Sequence, residues 1–331
     1  MPHTSWRRLS AVAVIATMFV TTLAAFDSPA SAELVNRGGV LVRESVSKLV
    51  PTRGSLFGAW VKPRTGWDMR DQQLGVRKLE RKVGRRLDVN HYYYAFDKPF
   101  PTWREPWSLR RGSIPMISWN GTSADRIASG DYDTMIRQRA NAVRELEQPV
   151  FLRFFWEMDG KPEIVDSPAQ YIRAWRHVRD IFDRRGATNA VWTWCPNAWA
   201  FTEGRGQKFY PGGNYVDWLC ADGYNWAPGK RGSHWRSFAS IFADFYRWGI
   251  RRDKPMMVGE TGVQEDRRKP GRKRHWLLNA KDTMKQRFPK IRALIYFHSN
   301  SIYPWWVDSS RGSMRAYRSL ARSDYFRTRG R

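Results

Sequence analysis

The chain has 331 residues, 57 Lys and Arg against 31 Asp and Glu, a formal net charge of +26, and 18 tryptophans. Its length admits one large α/β barrel or two ordinary domains. Two cysteines, Cys195 and Cys220, exclude a disulfide-framework fold and leave one bridge open. Basic pairs and triplets recur along the chain, as in Arg81-Lys82, Arg85-Arg86, Arg184-Arg185 and Arg267-Arg268-Lys269. The spread reads as solvated helix faces. The sharper reading is electrostatic association with anionic cell-wall polymers, and no nucleic-acid motif accompanies it.

In chain order, Arg7 and Arg8 precede an apolar stretch over 11–25, which is short of the roughly 20 residues needed to span a bilayer. Ala30-Ser31-Ala32 then has the form of a cleavage site. A secretory signal peptide is predicted over 1–32, followed by a secreted, extracellular domain over 33–331 with no membrane attachment. No linker, low-complexity tract or repeat divides that segment, so a single domain is expected, acting as a monomer.

Strand-like segments follow at 56–61, 87–95, 114–119, 150–156, 190–195, 216–224, 255–259 and 291–297. Amphipathic helices are predicted between them at 68–84, 132–146, 168–185, 235–250 and 274–288. The first carries Leu74, Leu79 and Val83 on one face; the second carries Met135, Ile136, Ala140, Val143 and Leu146. Ser167-Pro168 opens the third as an N-cap followed by proline at the first turn. Eight strands alternating with helices predict an α/β fold, a (β/α)8 TIM barrel. The alternative, a doubly wound open sheet, would be expected to carry a Gly-rich phosphate loop after an early strand, and the sequence contains none.

Two acids stand out in this order. Glu157 closes the apolar run Val150-Phe151-Leu152-Arg153-Phe154-Phe155-Trp156, and Glu260 closes Met256-Met257-Val258-Gly259. A carboxylate in such a setting requires a partner or a task. Strands of a barrel run parallel, so both acids are expected at its C-terminal face, where barrel active sites lie. No His/Cys cluster has metal-ligand spacing, and neither metal nor cofactor is expected. A metal-free acid pair is the equipment for glycoside hydrolysis: one acid protonates the leaving oxygen, and the other attacks the anomeric carbon or activates water. The Phe154-Phe155-Trp156 setting disfavours the charged form of Glu157, which suits a proton donor and acid/base. Glu260 sits among small residues that admit substrate, which suits a nucleophile. The competing reading is a buried salt bridge, with Arg153 as partner.

The segment Phe151-Leu152-Arg153-Phe154-Phe155-Trp156-Glu157-Met158-Asp159-Gly160 resembles the strand-4 signature of glycoside hydrolase family 26, the β-mannanase family, in which the acid/base Glu precedes Met. Val258-Gly259-Glu260-Thr261-Gly262 resembles its strand-7 nucleophile segment, and Asp222-Gly223-Tyr224-Asn225-Trp226 its strand-6 end. The resemblance runs from about Leu56 to His298. It implies a retaining endo-β-glycanase with Glu157 as acid/base and Glu260 as nucleophile. It further implies that Tyr224 steadies the nucleophile and that Trp226 lines the cleft. The chain differs at Trp156, where the family carries His, and in Lys161-Pro162-Glu163-Ile164-Val165-Asp166, where aromatics are usual.

Further substrate contacts are expected from Trp119 at the end of strand 3, Asn197 at the end of strand 5, Trp156, and Trp306 after strand 8, with Trp305 the other candidate there. Arg153 lies on the Glu157 side of its strand but deeper, as an ion-pair support or substrate contact. His91 is equally a core or a cleft histidine. The expected partner is a β-linked polysaccharide, β-mannan first, with β-1,3-1,4-glucan or β-xylan as alternatives. The rival class is a carbohydrate-binding protein without turnover.

Overall fold

Eight strands pair in sequence order, and β8 returns to pair with β1, so the sheet closes into a barrel of parallel strands. The structure is a computed structural model that describes residues 49–328; the expected signal peptide lies outside them. The strands are β1 Leu56–Val61, β2 Val89–Tyr94, β3 Ile114–Trp119, β4 Val150–Phe154, β5 Ala190–Trp194, β6 Trp218–Asn225, β7 Met256–Val263 and β8 Ile291–His298. The helices are α1 Met69–Val83, α2 Arg104–Arg110, α3 Ala124–Ala128, α4 Asp133–Arg144, α5 Pro168–Arg184, α6 Ala198–Thr202, α7 Phe238–Gly249, α8 Arg272–Gln286 and α9 Arg311–Arg322. The expected fold is the observed one. Among the described residues no helix is long and apolar enough to cross a membrane.

Local chemistry sets the helix boundaries. Asp68 accepts a hydrogen bond from the Asp71 amide ahead of α1, and Ser167 accepts one from the Gln170 amide ahead of α5. Gly84 ends α1 at φ 75°, a left-handed conformation that glycine adopts without steric cost.

Period-two alternation sorts the strand residues into two cores. Leu56, Val89, Met116, Phe151, Val191, Trp218, Met257 and Ile295 fill the barrel lumen. Their neighbours, such as Phe57, Ile117, Leu152, Trp192 and Val258, pack outward against the helices. Cys195 and Cys220 form a disulfide joining the end of β5 to β6 within the lumen.

Two boundaries differ from expectation in a way that matters for the acids. β4 ends at Phe154, so Glu157 lies beyond the strand, on a turn. β7 runs on to Val263, so Glu260 lies inside it rather than at its end. Phe155 and Glu157 both have positive φ, 46° and 52°. That left-handed conformation is uncommon for a residue with a side chain, and it turns the chain sharply off the barrel wall.

Candidate active site

Alternation along the strands builds the floor of the site. Phe151 faces the lumen, so Arg153, two residues on, faces it too, above Phe151; β2 does the same with Val89, His91 and Tyr93, and β6 with Trp218, Cys220, Asp222 and Tyr224. Glu260 is out of phase with Met257, and a bulge repairs this: Ala221 pairs Val258, but Asp222 pairs Glu260. Gly259 is the extra residue. A Cβ there would come within 2.3 Å of Cys220 Sγ and 2.8 Å of Asp222 Oδ1. Only glycine fits, and its absence of a side chain brings Glu260 into the lumen.

Glu260 is held from three strands. Arg153 Nη1 donates to its Oε1 at 2.6 Å, Tyr93 donates its phenol to the same oxygen at 2.6 Å, and Tyr224 donates to Oε2 at 2.5 Å. The other Arg153 nitrogen pairs with the buried Asp222, and Nη1 also reaches Ser118 Oγ at 3.3 Å. Burial alone would lower the Arg153 pKa; Asp222 and Glu260 reverse that, and the guanidinium stays charged. Burial, then the charge of Glu260, pushes the Tyr93 and Tyr224 phenols well above their ordinary range, so both remain donors. His91 is buried beneath this layer, its Nε2 2.6 Å from Ser118 Oγ; burial and then Arg153 hold its pKa well below the usual histidine range, which keeps it neutral.

Glu157 is held differently. Its amide donates to the Cys195 carbonyl at 2.8 Å, while among the described residues no side chain hydrogen-bonds its carboxyl group. It lines the cleft, half-buried. Burial is the main cause that raises its pKa to about 7; the charge of Glu260 adds to this, and Arg153 and Lys161 oppose it. Lys161 donates to Asn120 Oδ1 at 2.9 Å, and its Nζ lies 4.3 Å from the centre of the Trp156 ring. Burial lowers the Lys161 pKa to about 8.

One oxygen each of Glu157, Asp222 and Glu260 lie within 4.8 Å of one another. Arg153 bridges two of these acids, so the charges of Asp222 and Glu260 are answered by a cation of the protein itself. Cys195, Cys220 and Asp222 are comparably close, but the disulfide removes both thiolates.

A cleft of about 520 Å³ opens above the acids. Its wall is aromatic and nearly continuous. Trp60 stacks on Phe297 at 4.5 Å, Tyr93 meets Trp156 at 5.4 Å, Tyr224 meets Trp226 at 5.3 Å, and Trp226 meets Trp305 at 5.5 Å. Ring faces of this kind bind the apolar faces of sugars.

The structure gathers Glu157, Glu260, Tyr224, Trp226 and Trp156 at this cleft, with Arg153 beneath it. Three expected substrate contacts lie elsewhere. Trp119 is fully buried, stacked on Phe96 with its indole N–H on the Phe96 carbonyl, because it faces the helix layer rather than the lumen. Asn197 is committed to Asp159: its amide donates at 2.8 Å and its side chain at 3.1 Å, which braces the turn carrying Glu157. Trp306 packs on His298 and under Arg64, away from the cleft, and Trp305 takes the lining position. Arg153 is an ion-pair support with no exposed surface, so it is not a substrate contact. Tyr93 and Asp222 escaped the sequence reading. Period-two counting from Val89 and Trp218 places both in the lumen, but their Glu260 and Arg153 partners require the barrel closure.

A profile of glycosyl hydrolase family 26 matches residues 116–246. Endoglucanase H of Acetivibrio thermocellus is 30% identical over 282 residues, covering 80% of this chain and 30% of that protein. Mannan endo-1,4-beta-mannosidase A and B of Caldalkalibacillus mannanilyticus is 29% identical over 114 residues, covering 34% of this chain and 20% of that protein. The chain therefore spans a third or less of either relative. Among solved structures, a family 26 β-mannanase from Bacteroides ovatus superposes with a TM-score of 0.60 at 16% identity, over 82% of this chain and 89% of the other. The barrel, the lumen-facing acid pair and these likenesses agree, and over residues 116–246 the chain matches glycosyl hydrolase family 26.

Proposed function

We propose that the chain is a secreted, retaining endo-β-glycanase that acts on β-mannan. The observation that carries this reading is the acid pair: carboxylate oxygens within 4.8 Å, one acid unpartnered in the cleft and the other fixed by three donors. Retaining enzymes hold their carboxyl groups about 5–5.5 Å apart, and inverting enzymes leave about 6.5–9.5 Å for a water. Glu157 gives its proton to the departing glycosidic oxygen as Glu260 forms a bond to the anomeric carbon. Glu157 then takes a proton from the water that releases the glycosyl group from Glu260. Tyr93, Tyr224 and Arg153 orient the attacking carboxylate.

The likeness to the mannosidase supports β-mannan. The likeness to Endoglucanase H, over more of the chain, favours β-glucan as the second reading. Reducing-sugar release from galactomannan, mixed-linkage β-glucan and β-xylan, with sizing of the products, tests both. Internal cleavage of mannan is expected; inertness on every β-glycan sinks the reading. The Cys195–Cys220 bridge supports export to an oxidising compartment, as does the Arg7-Arg8 to Ala32 segment. Adjacent outer helices α1, α8 and α9, rich in Lys and Arg, support association with anionic wall polymers.

A proton donor must be protonated to act, so activity is expected to fall as pH rises through about 7, the pKa of Glu157. Lys161 is a positioning residue in this reading: its charge lowers the Glu157 pKa. Lys161→Met is expected to move the basic limb of the kcat/KM profile to higher pH, and Lys161→Arg to restore it. An unmoved limb removes Lys161 from this role.

A further inference from the structure

Part of the cleft wall is built by the segments after β1 and β2, and it carries a cation that the reaction does not use. Arg104 opens α2 and lines the cleft with Trp60, Trp67 and Gln72. Its Nε donates to Gln72 Oε1 at 2.9 Å, and Gln72 Nε2 donates to the Trp67 carbonyl at 2.5 Å. Three lining residues are thereby joined in one chain. The guanidinium carbon also lies 5.1 Å from the centre of the Tyr94 ring and 5.8 Å from that of Trp103. These contacts fix the group without neutralising it.

Among the described residues, no carboxylate lies within ion-pair distance of Arg104. The adjacent acid, Glu105, is buried and committed: Oε1 accepts from Tyr94 at 2.7 Å and Oε2 from the Thr102 amide at 2.8 Å. Arg64, Arg126, Arg173 and Arg247 pair with acids while largely exposed to solvent, whereas Arg104 is half-buried against rings. Beside it, Trp67 is 60% exposed and Ile302 76% exposed, and both line the same cleft. An exposed indole and a partly desolvated guanidinium on one cleft, linked through Gln72, offer a stacking face and a planar fork of donors. A carboxylate on a sugar ring matches both, because arginine pairs with it through two parallel N–H bonds. A hydroxyl would use one N–H and supply no charge, leaving only Glu105, beyond ion-pair distance, to act on the guanidinium.

We propose that Arg104, Gln72 and Trp67 form a subsite for a carboxylate-bearing sugar unit, so that the cleft favours a β-glycan carrying acidic units over its neutral counterpart. The inference rests on the cleft being a glycan-hydrolysing site and narrows the substrate class. It also separates a local contact from the general attraction that a chain of +26 exerts on any polyanion.

The test uses the full chain and matched substrates: glucuronoxylan and carboxymethyl glucomannan, each paired with its carboxyl-reduced form. The readout is the ratio of kcat/KM on the acidic glycan to that on its reduced partner. Arg104→Met is expected to lower the ratio about tenfold or more, the loss of one charge-assisted contact. Arg104→Lys, which keeps the charge but not the fork, should fall between. Arg318→Met on the outer face of α9 removes the same charge away from the cleft and should leave the ratio where it was. An unchanged ratio in Arg104→Met, or an equal fall in Arg318→Met, overturns the subsite. If no glycan is hydrolysed, the hydrolase reading fails by itself. Tryptophan-fluorescence titration with the acidic and carboxyl-reduced oligosaccharides then decides the subsite through the same ratio, taken in Kd.

Discussion

Glu260→Gln is expected to cut polysaccharide turnover by about four orders of magnitude or more, with the fold intact. Gln is isosteric, and it keeps an oxygen for Tyr224 or Tyr93, but it cannot form the glycosyl bond. Glu157→Ala should cost roughly 10²–10⁴-fold on the polysaccharide, the usual contribution of general acid–base catalysis. The two losses should separate on aryl β-glycosides with a good leaving group. Such a group departs without a proton, so Glu157→Ala should form the glycosyl-enzyme readily and then stall, while Glu260→Gln stays inactive. Azide, a small anion needing no general base, should restore Glu157→Ala and yield a β-glycosyl azide. Stopped-flow release of the aryl group and identification of the azide product check both halves. Substantial turnover by Glu260→Gln, or an α-configured azide, would remove the double displacement.

The second large effect falls on stability. Arg153→Met should destabilise the protein by about 3–5 kcal/mol, the cost of breaking a buried charge pair by deleting one partner. Arg153 has no exposed surface and answers both Asp222 and Glu260, so its loss leaves two facing carboxylates without a cation. Burial already raises the Asp222 pKa well above its ordinary value, with Arg153 opposing that rise. Without Arg153 the folded-state pKa rises further, and the folded protein binds the proton more tightly than the unfolded chain. Stability of the variant then falls as pH rises above about 4, where unfolded Asp ionises. The deficit against the parent should be largest at neutral pH and shrink toward pH 4. Urea midpoints at several pH values measure it. A pH-independent deficit would trace the loss to packing instead of charge. Arg153→Lys should recover little, because a single ammonium cannot span both acids.

Alternation and helix periodicity made the barrel legible: each expected strand lies within a residue or two of an observed one at its start, and the capping of α5 by Ser167 followed by proline was readable outright. The extension of β7 was not, because Gly259 reads locally as a strand breaker and only its neighbours reveal it as a bulge. Helix α9 was also missed; its four arginines hide the apolar stripe of Ala316, Tyr317 and Leu320. In the site, the two Glu residues announced themselves by apolar surroundings. Trp119 misled because a tryptophan at a strand end looks the same whether it faces the lumen or the helices, and one residue of phase decides which. Tyr93 stayed hidden in a run of three tyrosines, of which only the middle one reaches Glu260. The contacts of Arg153 span more than a hundred residues of sequence, from β4 to β7, and closure alone brings them together.

The two acids are anchored to different kinds of scaffold. Glu260 is clasped by side chains from β2, β4 and β6, so its position is shared property of half the barrel. Glu157 rides a short left-handed turn, tied to the wall through the Phe155 and Glu157 amides and braced by Asp159 and Asn197. The molecule thus has a rigid side and an adaptable one. A designer seeking new leaving-group preference would leave the strands and Trp156, which packs on Tyr93, untouched and recast residues 158–161, the part of the turn that touches neither Tyr93 nor Arg153. The same asymmetry directs engineering for synthesis instead of hydrolysis to Glu260, since Asp222 still answers Arg153 when the nucleophile is replaced.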